Sequence, residues 1–346
     1  MSHPADFTAE RAPRRVCLVL EKIAARSGGA ERVVVETANA LAARGHYAEI
    51  LSYERRGKGP FFPRSFGVVH TNLRRPTPAR SRWRRRFDDW REELHQKERT
   101  YYFPENYLIW TSQHGGFWRQ LERYLNFHQP DVAISFLPSA ITALGMVRPS
   151  YPLRRIASLH NVPERDLCDP NRWDPNPLDR KRRMASLQQH DAITVLQDEF
   201  RDWFPDDLRE RISVIPNVVR QLSAARIARH EKQKSVLSVG RLAGVKRHDL
   251  LIDAWSLIAD EFPDWTLKIF GTGPLESELR DQIEGLDLAE KVRLMGHTAN
   301  IDQEYLSASI VAHPALHEGW GLAASEALAA GVPVVGFAEC PGINRL

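Results

Sequence analysis

Several things are scarce in this chain of 346 residues, and each absence narrows the reading. Cysteine occurs three times, as Cys17, Cys168 and Cys340, far apart and with no CxxC pair. That excludes a disulfide framework and a cysteine-cluster zinc site, and it predicts a reducing, cytoplasmic setting. No apolar run approaches the ~18 residues of a membrane span. The longest, Ala327 to Ala338, is interrupted by Gly331 and Pro333. The first fifteen residues, MSHPADFTAERAPRR, lack the apolar centre of a signal peptide. There is no GxGxxG, and no Asp-Xaa-Asp of the kind that holds a divalent ion against a phosphorylated sugar. The formal charge of +4 is too small to require nucleic acid.

What is present is ordinary soluble composition, 42% hydrophobic and 27% charged, at a length that suits two domains. The organising stretch is His317 to Gly331, HEGWGLAASEALAAG. Glu318 and Glu326 are separated by seven residues, with Gly319-Trp320-Gly321 and a run of helix formers between them. This predicts a loop that opens a short helix, with Glu318 on the loop and Glu326 inside the helix. The first N–H groups of such a helix attract an anion. A carboxylate at each end accepts from pairs of hydroxyls. Phosphates flanked by hydroxyls describe a sugar nucleotide; two solvated glutamates on a surface helix are the plainer alternative.

The remainder alternates strand, turn and helix, the pattern of doubly wound parallel sheets. Val16–Leu20 reads as a buried strand, followed by the Gly28-Gly29 turn and a helix over 31–44 carrying Val33, Val34, Thr37, Ala38 and Leu41 on one face. That turn fits a phosphate, the approach of a second substrate, or a tight bend alone. Strands at 131–137 and 154–159 follow, the second delivering His160 to a strand's carboxyl end, where ligands bind in such sheets. A structural role for His160 is equally open. After strands at 192–196 and 212–215, a polar basic stretch over 219–233 reads as a linker. A second series starts at Val236, with strands at 266–270, 292–295 and 310–313 and a helix burying Leu250, Leu251, Ala254, Trp255 and Ile258. The predicted domains are 1–218 and 234–346.

Two further patterns carry chemistry. Arg241 and Lys246 follow the first strand of the second series, where two cations would neutralise a diphosphate and stabilise it as a leaving group. His313 and His317 have an i, i+4 spacing that suggests zinc, but Pro314 breaks the helix this needs and no further ligand group is evident. The segment 55–110 fits the alternation poorly and reads as an insertion. It holds seven arginines between Arg74 and Arg86, interleaved with Trp83, Phe87 and Trp90. An anionic membrane surface, RNA, and a solvated helix with its aromatics turned inward are the alternatives.

The set Gly28-Gly29-Ala30-Glu31-Arg32, Pro216-Asn217, Val239-Gly240-Arg241-Leu242 with Lys246, Gly271-Thr272-Gly273-Pro274, and Glu318-Gly319-Trp320-Gly321-Leu322 with Glu326 resembles retaining glycosyltransferases of family 4. The resemblance runs over about residues 15–346. It implies the GT-B fold: two Rossmann-like domains facing across a cleft, the second binding a nucleotide-diphosphate sugar. It implies that Arg241 and Lys246 bind the diphosphate, that Glu318 meets the donor sugar, and that Glu326 meets the ribose. Trp320, Gly321, Leu322 and Ala323 would face sugar and phosphate, and Gly296-His297 the base; Gly271 and Gly273 complete the donor side. His160 would lie near the anomeric carbon and Gly28-Gly29 on the acceptor side. The acceptor would be a glycan, a lipid-linked molecule or a small molecule, with no metal and no other cofactor. Trp320 stands where Phe or Tyr is usual and Val218 where Gly often follows Pro-Asn. The family pattern continues with another strand and helices, so the chain is expected to be truncated at Leu346. An epimerase of the same fold and a non-catalytic nucleotide-sugar-binding protein are the competing functions.

Overall fold

The computed structural model describes residues 12–24, 28–54, 59–74, 105–170, 172–219, 222–224, 227, 231–298 and 300–346. The arginine-rich run beyond Arg74, with Trp83, Phe87 and Trp90, lies outside them. Contacts divide the chain into two units, Met1–Val214 and Ile215–Leu346.

The first unit is a seven-stranded sheet, every pairing parallel. Its strands are β1 (Arg15–Val19), β2 (Tyr47–Ser52), β3 (Val68–Asn72), β4 (Val132–Phe136), β5 (Arg154–Ser158), β6 (Ala192–Val195) and β7 (Ile212–Val214), in the order β3-β2-β1-β4-β5-β6-β7. Its helices are α1 (Gly29–Ala43), α2 (Glu105–His128), α3 (Leu137–Met146), α4 (Pro163–Leu167), α5 (Pro177–Leu187), α6 (Asp198–Asp202) and α7 (Asp206–Arg209). Apolar clusters cover both faces of the sheet, one built on Leu18, Ile50 and α1, the other on Val19, Leu121 and Leu144. That explains why β1 is a continuous apolar run rather than an alternating one.

The structure redraws some expected boundaries. The segment 55–110 is not wholly an insertion: β3 is an edge strand of the main sheet, and α2 begins at Glu105. Its alternation is hard to see because an edge strand is covered less completely, and His70, Thr71 and Asn72 are polar. Trp110 is buried, so it belongs to the unit's own core. In α1 the buried stripe is Val34, Val35 and Ala38 together with Glu31, and Val33 packs at its margin.

The second unit is a five-stranded parallel sheet in the order β10-β9-β8-β11-β12. Its strands are β8 (Ser235–Val239), β9 (Thr266–Phe270), β10 (Val292–Gly296), β11 (Ile310–His313) and β12 (Val334–Gly336). Among the described residues, four α-helices accompany them: α8 (His248–Ser256), α9 (Glu276–Gly285), α10 (Ile301–Ser307) and α11 (Leu322–Ala329). Leu222 and Ile227, inside the expected linker, pack against this unit's core beside Tyr305 and Val311. The helix α8 buries His248, Ile252 and Trp255, while Ala254 and Ile258 are exposed. The apolar arc of this helix is wide, bounded by Asp249 and Asp253, so periodicity alone allowed more than one phase; its packing on β9 and α9 chose between them.

In both sheets the strand order reverses once, between β1 and β4 and between β8 and β11. Such switch points open a crevice at the strands' carboxyl ends, where ligands bind in open α/β sheets.

Candidate functional site

In the second unit the loops leaving β8, β9, β11 and β12 are tied to one another by backbone hydrogen bonds. Leu242 N–H donates to Thr272 O at 3.1 Å, Leu316 N–H to Val245 O at 3.0 Å, and Glu318 N–H to Pro341 O at 3.2 Å. Gly271 and Gly273 serve this packing. A Cβ on Gly271 would lie 1.9 Å from the Gly240 oxygen, and one on Gly273 2.2 Å from the Leu242 oxygen. Only glycine lets these two loops touch.

The ties bring Lys246 and Glu318, 72 positions apart, into an ion pair: Lys246 Nζ donates to Glu318 Oε1. The Nε2–H of His313 donates to the same oxygen at 3.0 Å. Side-chain exposure is 22% for Lys246, 16% for Glu318 and 3% for His313, so the pair is largely shielded from water. Burial alone would raise the Glu318 carboxyl, but the Lys246 charge and the His313 hydrogen bond outweigh it and hold it down to about 2. Next to this pair, His248 is buried and neutral, its imidazole pushed down to about 4 by burial and by the Lys246 charge.

Beyond Glu318 the chain turns through Gly321, in left-handed backbone at φ 65, into α11. Leu322 and Ala323 form the helix's first turn, so their N–H groups have no intrahelical acceptor. Glu326 accepts from the Tyr305 hydroxyl at 3.1 Å. The indole N–H of Trp320 is buried without a hydrogen-bond partner among the described residues. Arg241 is exposed and makes no ion pair among them. Gly296 accepts from Gly271 N–H at 2.8 Å, and His297 beside it is exposed.

Two residues of this site escape sequence reading. His313 suggests zinc by its spacing to His317, whereas here it serves Glu318. Gly342, at φ +82, lies so close to Glu318 that a Cβ would stand 2.6 Å from the Glu318 carbonyl oxygen. The Pro341-Gly342 dipeptide signals a turn, but not what the turn touches.

The other expected site residues lie in the first unit. Gly28 and Gly29 are exposed at the start of α1. His160, beyond β5, stacks on Phe136 with centroids 5.3 Å apart, and its Nε2 is 2.9 Å from Ser158 Oγ. The next residue, Asn161, donates to Asp166 Oδ2 at 2.9 Å. Asp166 is buried and also meets Arg172 at 2.7 Å and the Trp173 indole at 3.0 Å. Its burial raises the carboxyl, against the pull of Arg172 and Asn161. Arg183, 1% exposed, completes the knot by donating to Asp179, to Asp166 O at 2.7 Å and to the carbonyls of Arg172 and Asp174. The chain after His160 thus runs through two short helices, Pro163–Leu167 and Pro177–Leu187, held around one buried arginine.

Two parallel α/β units, the second with a shielded ion pair at its switch point, define a protein of the GT-B class. Residues 27–220 match the model of Glycosyltransferase Family 4, and residues 219–346 match that of Glycosyl transferases group 1. The chain belongs to glycosyltransferase family 4. It is 34% identical over 154 residues to an uncharacterized glycosyltransferase of Haemophilus influenzae, covering 44% of this chain and 43% of that one. It spans less than half the length of the curated relatives it matches first. Among solved structures, TarM of S. aureus, in complex with Fondaparinux, alpha-GlcNAc-glycerol and UDP, is similar with a TM-score of 0.69 at 13% identity, over 94% of this chain and 86% of that one. Anabaena HepE in complex with UDP-glucose has a TM-score of 0.61 at 16% identity, over 96% and 82%. Among the described residues, no helix is long and apolar enough to cross a membrane.

Proposed function

We propose that this chain transfers a hexose from a nucleotide-diphosphate sugar to a glycan or lipid-linked acceptor, with retention at the anomeric carbon and without a metal ion. The observation that carries this reading is the shielded Lys246–Glu318 pair at the switch point, beside the opening of α11. An ammonium has three N–H donors. Lys246 can therefore keep Glu318 and still donate to a phosphate. Much of its charge is already met by Glu318, so Arg241 and the α11 N-terminus take the larger share of the leaving diphosphate's charge. The remaining carboxylate oxygen of Glu318 accepts from sugar hydroxyls, and Glu326 from the ribose. The unpartnered Trp320 N–H supports a bound oxygen nearby, since a buried donor left unmade costs about 1–3 kcal/mol.

As the C–O bond to the diphosphate breaks, the sugar gains oxocarbenium character. The acceptor hydroxyl attacks the face that the diphosphate leaves, and the departing phosphate oxygen takes its proton. His160 is assigned to the reacting centre and Gly28-Gly29 to the acceptor. The complexes of the similar structures support a UDP-sugar donor, and alpha-GlcNAc-glycerol beside UDP supports an α-linked product. The basic aromatic segment supports an acceptor at an anionic, cytoplasmic membrane surface.

The test incubates labelled UDP- and GDP-sugars with soluble glycan acceptors and with lipid-linked acceptors in anionic vesicles, with and without chelator. An α-linked product formed in chelator supports the proposal. Epimerised donor assigns an epimerase, unchanged donor a binding protein, and rescue by magnesium or manganese defeats the metal-free mechanism. Within the same reading, Glu326→Ala is expected to weaken donor binding by about tenfold, the cost of one or two hydrogen bonds to a charged group. A 2′-deoxy donor should lose a similar factor on wild type and little more on the variant. Equal discrimination by both proteins would remove Glu326 from the ribose.

A further inference from the structure

We infer that His313 is a positioning residue that orients the Glu318 carboxylate toward the donor sugar. The inference rests on the donor-binding reading above and deepens it. Lys246 supplies charge, but an ammonium on a flexible four-carbon stem fixes direction poorly. His313 supplies direction. Its stiff planar ring sits at the last position of β11, 3% exposed, with Nε2 3.0 Å from Glu318 Oε1.

Both donors meet the same oxygen, Oε1. A carboxylate held so by one oxygen is left with the lone pairs of the other for hydroxyl groups. The main chain is fixed as well. The Glu318 N–H is bound to Pro341 O, Gly342 packs on its carbonyl, and Leu316 is bound to Val245. With the backbone clamped and Lys246 on a flexible stem, His313 is the group that selects the carboxylate's rotation. It also accounts for the polar residue buried at the end of an otherwise apolar strand, Ile310-Val311-Ala312. An apolar side chain there would pack equally well and leave Oε1 with the ammonium alone.

The experiment compares wild type, His313→Leu and His313→Gln in the full chain. Leucine keeps apolar bulk without a donor, and glutamine keeps an N–H. Calorimetry measures binding of UDP-glucose and GDP-mannose against free UDP and GDP. With the nucleotide sugar that wild type binds, His313→Leu should lose about tenfold or more in affinity, as for a hydrogen bond to a charged group. The free nucleotide, which has no sugar for Glu318 to hold, should change much less than the sugar nucleotide. His313→Gln should recover most of the loss. Equal losses for sugar nucleotide and free nucleotide, no loss for either, or a glutamine variant no better than leucine would overturn the inference and leave the donor site standing. Wild type that binds none of the four probes overturns the donor reading itself. Should His313→Leu not fold, long-range 1H–15N spectra of wild type decide. An Nε2–H signal that moves with the nucleotide sugar and not with the free nucleotide supports the role; one that moves equally with both overturns it.

Discussion

Lys246→Met is expected to lower the rate of glycosyl transfer by about 10²–10³-fold, the usual effect of removing one preorganised group that stabilises developing charge. It also isolates a shielded carboxylate. With side-chain exposures of 22% and 16%, the pair lies between a surface bridge and a buried one. Its loss should cost the second unit about 1–3 kcal/mol, between the limits known for those two cases. The pH dependence identifies the source. The Glu318 carboxyl is at about 2 in the folded protein against an ordinary 4.5. A depressed carboxyl stabilises the fold fully above its unfolded value and loses that contribution as pH falls toward its folded value. The stability gap between wild type and Lys246→Met should therefore be widest above pH 4.5 and shrink toward pH 2. Urea unfolding at pH 6 and pH 3 measures it, and a gap equal at both would mean that the ion pair is not what was lost.

In the first unit, Arg183→Met is expected to have the largest effect on stability. Arg183 is 1% exposed and Asp179 8%. Removing the cation leaves the buried Asp179 carboxylate with only the Trp110 indole, at 2.8 Å, and His114 beside it among the described residues, and leaves the carbonyls of Asp166, Arg172 and Asp174 without their shared donor. Such losses typically cost about 3–5 kcal/mol. For a unit of this size that corresponds to a fall in melting temperature on the order of 10 °C. Arg183→Lys should recover less than half, because a single ammonium does not reproduce a planar fork with five N–H groups. Scanning calorimetry should show the first unit's transition move while the second unit's stays; a shift under about 3 °C would mean that the knot is relaxed by water or by neighbouring side chains. Loss of the knot also releases Asn161, and with it the turn that carries His160.

The glycine turns, the parallel strands and the helix after Gly321 were legible because their determinants are local. Continuous apolar runs require a sheet covered on both faces, and Gly319-Trp320-Gly321 before an alanine-rich run requires a turn into a helix. The edge strand β3 was not legible, because half-covered backbone tolerates polar residues such as His70 and Asn72. Nor was the phase of α8, where a wide apolar arc leaves the buried face to be chosen by β9 and α9.

Which residues carry charge, and at which strand end each appears, follows from the order of amino acids. The pairing of Lys246 with Glu318, the recruitment of His313 to that pair and the closure of Gly342 over it do not. They depend on β8 and β11 lying side by side although Lys246 and Glu318 are 72 positions apart — a neighbourhood created by the reversal of strand order. A histidine, a lysine and a glutamate have many solvated alternatives in the unfolded chain. Only the folded sheet edge excludes enough water, and fixes enough backbone, for one carboxylate oxygen to hold two donors.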